Sequence, residues 1–313
     1  MGLRRRLQSG FGRLCAAWNA LLSPPRKCQP RSTATNETED QILQVLARLG
    51  AELSAVECRL FERFNCRLQD ELLAKQQEHW RAAGDLRGFD WKGYSQNGED
   101  GIIREIFHRI GTTNKFFVEF GVETGAECNT RLLAQHEQWS GLYFEPVEAS
   151  FGQLINRWQE YPQVRAVQTA VTSRNFKQLL AEHGVPREFD LLSIDIDGND
   201  YWVWNSLTDW RLRVVVIEYN SFHLPPKKWV MHENDDYRWN GTTYFGAAFT
   251  SLRNLGRTKG YTIVGTDPRG VNMFFVRTDC LPNDKFLDPE LQYFFQPFGY
   301  RVPPVGEGSF VEC

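Results

Sequence analysis

The sequence predicts an α/β protein built around a mostly parallel sheet, and three observations predict it. From about residue 94 onward, short apolar runs alternate with amphipathic stretches of helical length, the pattern of parallel strands joined by crossover helices. Several of those runs end in a glycine or a carboxylate, the residue types found where such sheets bind ligands. The last two runs, residues 261–265 and 272–277, flank Asp267-Pro268-Arg269-Gly270, which predicts an antiparallel pair joined by a tight turn.

In chain order, the predicted strands are residues 116–120, 141–144, 164–171, 191–196 and 214–217, followed by the terminal pair. Helices are expected over 101–110, 150–159 and 176–183. The first of these follows Ser95-Gln96-Asn97-Gly98-Glu99-Asp100, with acidic residues near the positive end of its dipole.

The region before this domain has a different composition. Residues 1–38 read as a basic tail and linker: Arg4, Arg5, Arg6, Arg13, Arg26, Lys27 and Arg31 stand without an acidic neighbour, and Ser23-Pro24-Pro25 breaks regular structure. A frayed basic tail is one reading, and a basic amphipathic helix touching an anionic membrane surface is the other. Residues 39–84 read as a long helix. Ile42, Leu46, Leu49, Leu53, Val56 and Leu60 follow a four–three spacing, the seam of a coiled coil. Beyond Leu60 the spacing slips to fours at Phe64, Leu68 and Leu72. Homodimerisation through residues 42–60 and a plain amphipathic helix are the two readings. Residues 84–93 read as a second linker, and 94–313 as the α/β domain.

Composition excludes several classes. A net charge of -3 supplies no basic field for nucleic acid. No apolar run reaches the roughly 18 residues of a membrane span. The cysteines (Cys15, Cys28, Cys58, Cys66, Cys128, Cys280 and Cys313) are odd in number, widely spaced and free of C-x-x-C pairs. A disulfide framework and a zinc knuckle are therefore not expected, and a reducing, cytoplasmic setting is.

The chemistry-bearing residues cluster at strand ends. The first strand runs into Glu119-Phe120-Gly121-Val122-Glu123-Thr124-Gly125. Gly121 and Gly125 stand where a backbone must turn sharply and let a ligand lie against it, and Glu119 offers an acceptor to a cationic amine. Twenty-four residues after Gly121 the second strand ends at Glu145, where a carboxylate can accept from both hydroxyls of a ribose. A nicotinamide dinucleotide and S-adenosyl-L-methionine both satisfy this Rossmann-like pattern. The missing third glycine of G-x-G-x-x-G and the terminal hairpin, which resembles that of class I methyltransferases, favour the second.

Strand four ends in Asp195-Ile196-Asp197-Gly198-Asn199-Asp200 and strand five in Glu218-Tyr219-Asn220, with His223 close behind. Asp195 and Asp197 share a face of a strand and need a cation, a proton or an amine between them. Asp197, Glu218 and Asn220 form a set of oxygen ligands suited to Mg2+; hydrogen bonds to loops are the plainer reading. A free imidazole titrates near neutrality, which makes His223 a candidate general base, with a structural or exposed histidine as the alternative. Residues 221–244 form a long loop holding Trp229, Tyr237, Trp239, His232, Lys227 and Lys228, suited to covering a sugar or aromatic acceptor.

Four motifs together resemble the FkbM-type methyltransferases over roughly residues 94–280: Tyr94-Ser95-Gln96-Asn97-Gly98-Glu99-Asp100, Phe117-Val118-Glu119-Phe120-Gly121, the stretch from Leu191 through Asp200, and Val216-Ile217-Glu218-Tyr219-Asn220. The chain has Asp197 where the family usually has a glutamate. The resemblance implies a class I methyltransferase fold that binds S-adenosyl-L-methionine at Glu119, Gly121 and Glu145, with Asp195 near the reacting end. It implies O-methylation of a small-molecule or glycan hydroxyl. A non-catalytic scaffold that recruits a partner through its N-terminal helix is the rival reading, and an NAD(P)-dependent oxidoreductase is the third.

Overall fold

The computed structural model describes residues 75–282, 286–287 and 304–313, together with Val45, Arg48 and Leu49. The chain divides into two units, Met1–Asp70 and Glu71–Cys313. In the first, the three described positions are helical. The basic tail and, Leu49 apart, the coiled-coil seam lie outside the described residues. Among the described residues no helix is long and apolar enough to cross a membrane.

The second unit is built on seven strands: β1 (Phe116–Phe120), β2 (Ser140–Phe144), β3 (Val164–Val167), β4 (Glu188–Ile194), β5 (Arg211–Glu218), β7 (Tyr261–Thr266) and β8 (Asn272–Arg277). Their spatial order is β3-β2-β1-β4-β5-β8-β7. All pairings from β3 to β5 are parallel, whereas β8 runs antiparallel to both β5 and β7. This is the expected Rossmann-like methyltransferase arrangement, with the last strand, β8, inserted between β5 and β7. A two-stranded patch, β6 (Val230–Met231) with β9 (Phe310–Val311), is separate.

Alternation along the strands explains the three-layer architecture. Val118, Phe120, Leu142, Phe144, Leu192 and Ile194 belong to one apolar cluster. Phe117, Tyr143, Leu191, Val214 and Val216 belong to the other. The first is covered by α4 (Phe176–Glu182), α5 (Asp200–Ser206) and α6 (Phe249–Thr258), the second by α1 (Glu99–Ile110) and α3 (Glu148–Trp158). The short α2 (Arg131–His136) adds Leu133 and Ala134 to the second cluster.

The segment expected as a second linker is packed instead. Residues Leu86–Phe89 form a single 3-10 turn, and Leu86 is 1% exposed. A Cβ on Gly265, where β7 bulges, would lie 3.3 Å from Leu86. The apolar residues Leu86, Phe89 and Trp91 are too few to set a periodicity, so this burial leaves no mark in the sequence pattern.

The Ser95–Asp100 motif is also tied down more firmly than a dipole argument suggests. Gly98 caps α1 in the left-handed region (φ +88°), and Glu99 and Asp100 are buried. Asp100 Oδ2 accepts from the backbone N–H groups of Gly93, Tyr94 and Ser95 at 2.9, 2.6 and 2.8 Å. Glu99 accepts from Asn97 and from Asn272 Nδ2 at the start of β8. These two carboxylates fasten the motif to the sheet edge where the strands end.

Candidate active site

Strand register brings the strand-end residues into one row. Phe144, Phe120, Ile194 and Ile217 are successive partners across β2, β1, β4 and β5. The next residue on each strand is therefore Glu145, Gly121, Asp195 and Glu218, and Glu218 pairs onward with Asn272 of β8. In-register neighbours in a sheet project to the same side, so the three carboxylates share a face. The one position in the row without a side chain, Gly121, stands between Glu145 and Asp195.

A cleft of about 1180 Å³ opens over this row. Tyr94, Gln96 and Asn97 wall one side, and residues 169–172 after β3 wall another. Nine carboxylates line it, and among the described residues its one basic side chain is Arg238. Phe222, Tyr237, Trp239 and Phe245 bring aromatic surface from the loop after β5 and the stretch leading to α6.

Gly121 has φ +81°, and a Cβ there would fall 1.4 Å from the carbonyl oxygen of Asp195. Gly125 has a different duty. Its φ is +72° and its Cβ would lie 2.6 Å from Leu154 of α3. It packs the turn beneath that helix and is not part of the cleft lining, which corrects its expected place in the cofactor site. Glu145 fits its expected place better. It lines the cleft and accepts from the N–H of Val147 at 2.8 Å. Burial raises its pKa, and the Val147 and Glu123 amides oppose that rise.

Glu119 lines the cleft, but its carboxylate is engaged. The N–H groups of Asn129 and Thr130 donate to it at 2.8 and 3.1 Å, and the Thr130 hydroxyl donates as well. Desolvation nevertheless pushes its pKa up to about 7. Glu119 thus holds the loop that starts α2 while lining the cleft.

Asp195, Asp197 and Glu218 converge, each offering an oxygen such that all three lie within 4.8 Å of one another. Burial raises all three carboxyl pKa values. The next cause is Asp197 for Asp195, Glu123 for Asp197 and Asp195 for Glu218. Asp197 holds φ +57°, where the chain turns off β4. Asp200 starts α5 and accepts from Ile196 and Gly198, fixing that turn.

Two expected members do not join them. Asn220 is buried, and its amide nitrogen donates to the carbonyls of Thr243 and Phe245 while its oxygen accepts from Phe222. As β5 gives way to the loop, Asn220 forms a single bridge to Ala248, and its side chain ties that loop down. His223 lies outside the cleft lining, its ring 4.1 Å from that of Trp229. Burial, then Lys227, lowers its pKa to about 4. Tyr237 and Trp239 do reach the cleft, whereas Trp229 packs with Met231 and Ala248.

Residues 113–261 match the family model of the methyltransferase FkbM domain. The match begins after the Ser95–Asp100 motif and ends at Tyr261, the first residue of β7, although residues of both the motif and the β7–β8 hairpin line the cleft. No curated protein matches the chain. Among solved structures, the N-terminal domain of EvdMO1 with SAH bound is similar at 15% identity and TM-score 0.38, over 58% of this chain and 80% of that one. The CurJ carbon methyltransferase is similar at 8% and 0.38, over 57% and 52%. An S-adenosylmethionine-dependent methyltransferase from Clostridium acetobutylicum is similar at 9% and 0.37, over 58% and 92%.

Proposed function

We propose that the chain transfers a methyl group from S-adenosyl-L-methionine to a hydroxyl of a small-molecule or glycan acceptor. The observation that carries this reading is the row Glu145–Gly121–Asp195–Glu218 at the carboxyl edge of a parallel sheet, beneath a cleft large enough for a nucleoside and an acceptor together.

The cofactor supplies a methyl group already activated by its sulfonium. The protein's task is then alignment, which accounts for most of the rate in such reactions. Glu145 offers its carboxylate to ribose hydroxyls. Gly121 leaves the row open between Glu145 and Asp195, and the Val122–Glu123–Thr124 backbone forms the near wall. Tyr237, Trp239 and Phe245 give the acceptor an aromatic surface, as sugar rings prefer. The acidic lining speaks against a phosphate-rich acceptor such as nucleic acid.

Calorimetry with S-adenosylhomocysteine on the full chain tests the reading. Saturable binding is expected, weakened about 10- to 100-fold in Glu145→Ala through loss of a charged hydrogen-bond acceptor and abolished in Gly121→Arg. Absence of binding in the wild-type chain would favour the scaffold reading, and preferential binding of NADH the oxidoreductase.

A further inference from the structure

We propose that Asp195, Asp197 and Glu218 bind one divalent oxygen-seeking cation of the magnesium or manganese type. The inference concerns the cleft just described and rests on its reading as a methyl-transfer site for its consequence only, the orientation of an acceptor hydroxyl.

Two independent observations support it. The first is convergence. A cation held about 2.0–2.6 Å from its ligands keeps those oxygens within about 4–5 Å of one another, and the three carboxylates present oxygens within 4.8 Å. The ligand set is all oxygen, the preference of magnesium, manganese and calcium. The second is an orphan. Glu218 Oε2 is buried and has no hydrogen-bond partner, though a buried polar oxygen is normally paired. That unpaired oxygen belongs to one of the three carboxylates that converge, so the cluster holds a buried acceptor still lacking a donor or a cation.

Charge selects the kind of partner. Three carboxylates in a partly dehydrated site repel strongly. A single ammonium would leave the group at -2, whereas a dication leaves -1 and satisfies all three oxygens at once. The arrangement also revises the ligand set that spacing alone suggests. Asp195 takes the place of Asn220, whose amide is fully engaged with the loop over residues 243–245. Tyr237 closes the site from above, its ring 2.8 Å from the position a Cβ on Gly198 would take. Cation and aromatic lid together would favour an acceptor with two adjacent oxygens, one to bind and one to react.

The test is titration of the metal-stripped full chain with Mn2+ alone, following the free-ion electron paramagnetic resonance signal. One saturable site is expected. Asp197→Asn and Glu218→Gln should each weaken it by about 100-fold, the upper end of what even outer-shell changes cost. Glu127→Gln, a charge change on the same cleft's rim, should leave it unchanged. In the metal-free state Glu218→Gln should raise the melting temperature, because it removes repulsion without removing a bond. Absence of a saturable site, or affinity unchanged in both variants, overturns the proposal. If Glu218→Gln fails to fold, the solvent-exposed Asp197→Asn decides. S-adenosylhomocysteine binding without Mn2+ binding sinks the cation and spares the methyltransferase reading; Mn2+ binding without S-adenosylhomocysteine binding does the reverse.

Discussion

Gly121 lies against the backbone of Asp195 so closely that a Cβ would sit 1.4 Å from the Asp195 carbonyl oxygen. The partner is main chain in the middle of the sheet and cannot rotate away. Gly121→Ala should therefore cost about 2–4 kcal/mol, combining a left-handed residue with an overpacked contact. Gly125→Ala should cost less, because its nearest neighbour is the end of the Leu154 side chain. Urea unfolding of both variants checks the order; equal costs would mean that the two strand ends are not locked together.

Asp100 gathers three backbone donors from Gly93, Tyr94 and Ser95, and Tyr94 belongs to the cleft wall. Asp100→Ala leaves those N–H groups without an acceptor, at about 1–3 kcal/mol for each that stays buried. A total loss of about 3 kcal/mol or more is expected in denaturant unfolding. Weaker S-adenosylhomocysteine binding should accompany it, even though Asp100 lies outside the cleft lining. A variant with wild-type stability would show that the loop folds without this anchor.

Most of the sheet could be read from the sequence because its strands, the edge strand β3 apart, are short apolar runs buried on both faces. Phe116–Phe120 and Asn272–Arg277 match the expected bounds residue for residue. Strand four starts earlier, at Glu188, since its polar beginning at the sheet edge carries no apolar signal. The β6–β9 patch is two residues deep and has no periodicity to detect. In the site, Glu145, Asp195, Asp197 and Glu218 were legible as strand-end carboxylates. Asn220 and His223 lie beyond the end of β5 at Glu218, where the backbone no longer fixes a side chain's direction, so their contacts with Thr243, Phe245 and Trp229 left no mark in the sequence. Glu119 carries the right charge at the right place, yet only the fold shows that Thr130 and Asn129 already use it.

Asp90 should give the protein a measurable pH dependence. Burial raises its pKa from 3.8 to about 6, and its Oδ1 is buried without a partner. Between those values the folded chain keeps a proton that the unfolded chain has released. Stability from this group is therefore full below about pH 4 and is lost as the pH rises through 6, by about 2–3 kcal/mol. Asp90→Asn keeps the acceptor for Gln77 and removes the charge. It should match the wild type near pH 4 and exceed it by that margin at pH 7.5 in thermal or denaturant unfolding. A wild-type slope unchanged in the variant would refute this assignment.

His223 and Trp239 make opposite predictions from the same loop. The His223 ring packs on Trp229 with its pKa near 4, so it is uncharged at neutral pH, and it is not part of the cleft lining. His223→Phe should leave S-adenosylhomocysteine affinity within about twofold, because it touches nothing the ligand reaches. The pH profile of methyl transfer should likewise keep its shape, without a limb near the usual histidine value. Trp239 is 47% exposed and lines the cleft. Trp239→Ala should weaken an acceptor by about three- to tenfold, the scale of one lost aromatic contact, with cofactor affinity unchanged. A pH limb near 6.5 that disappears in His223→Phe would restore the histidine as base and require the loop to rearrange on binding.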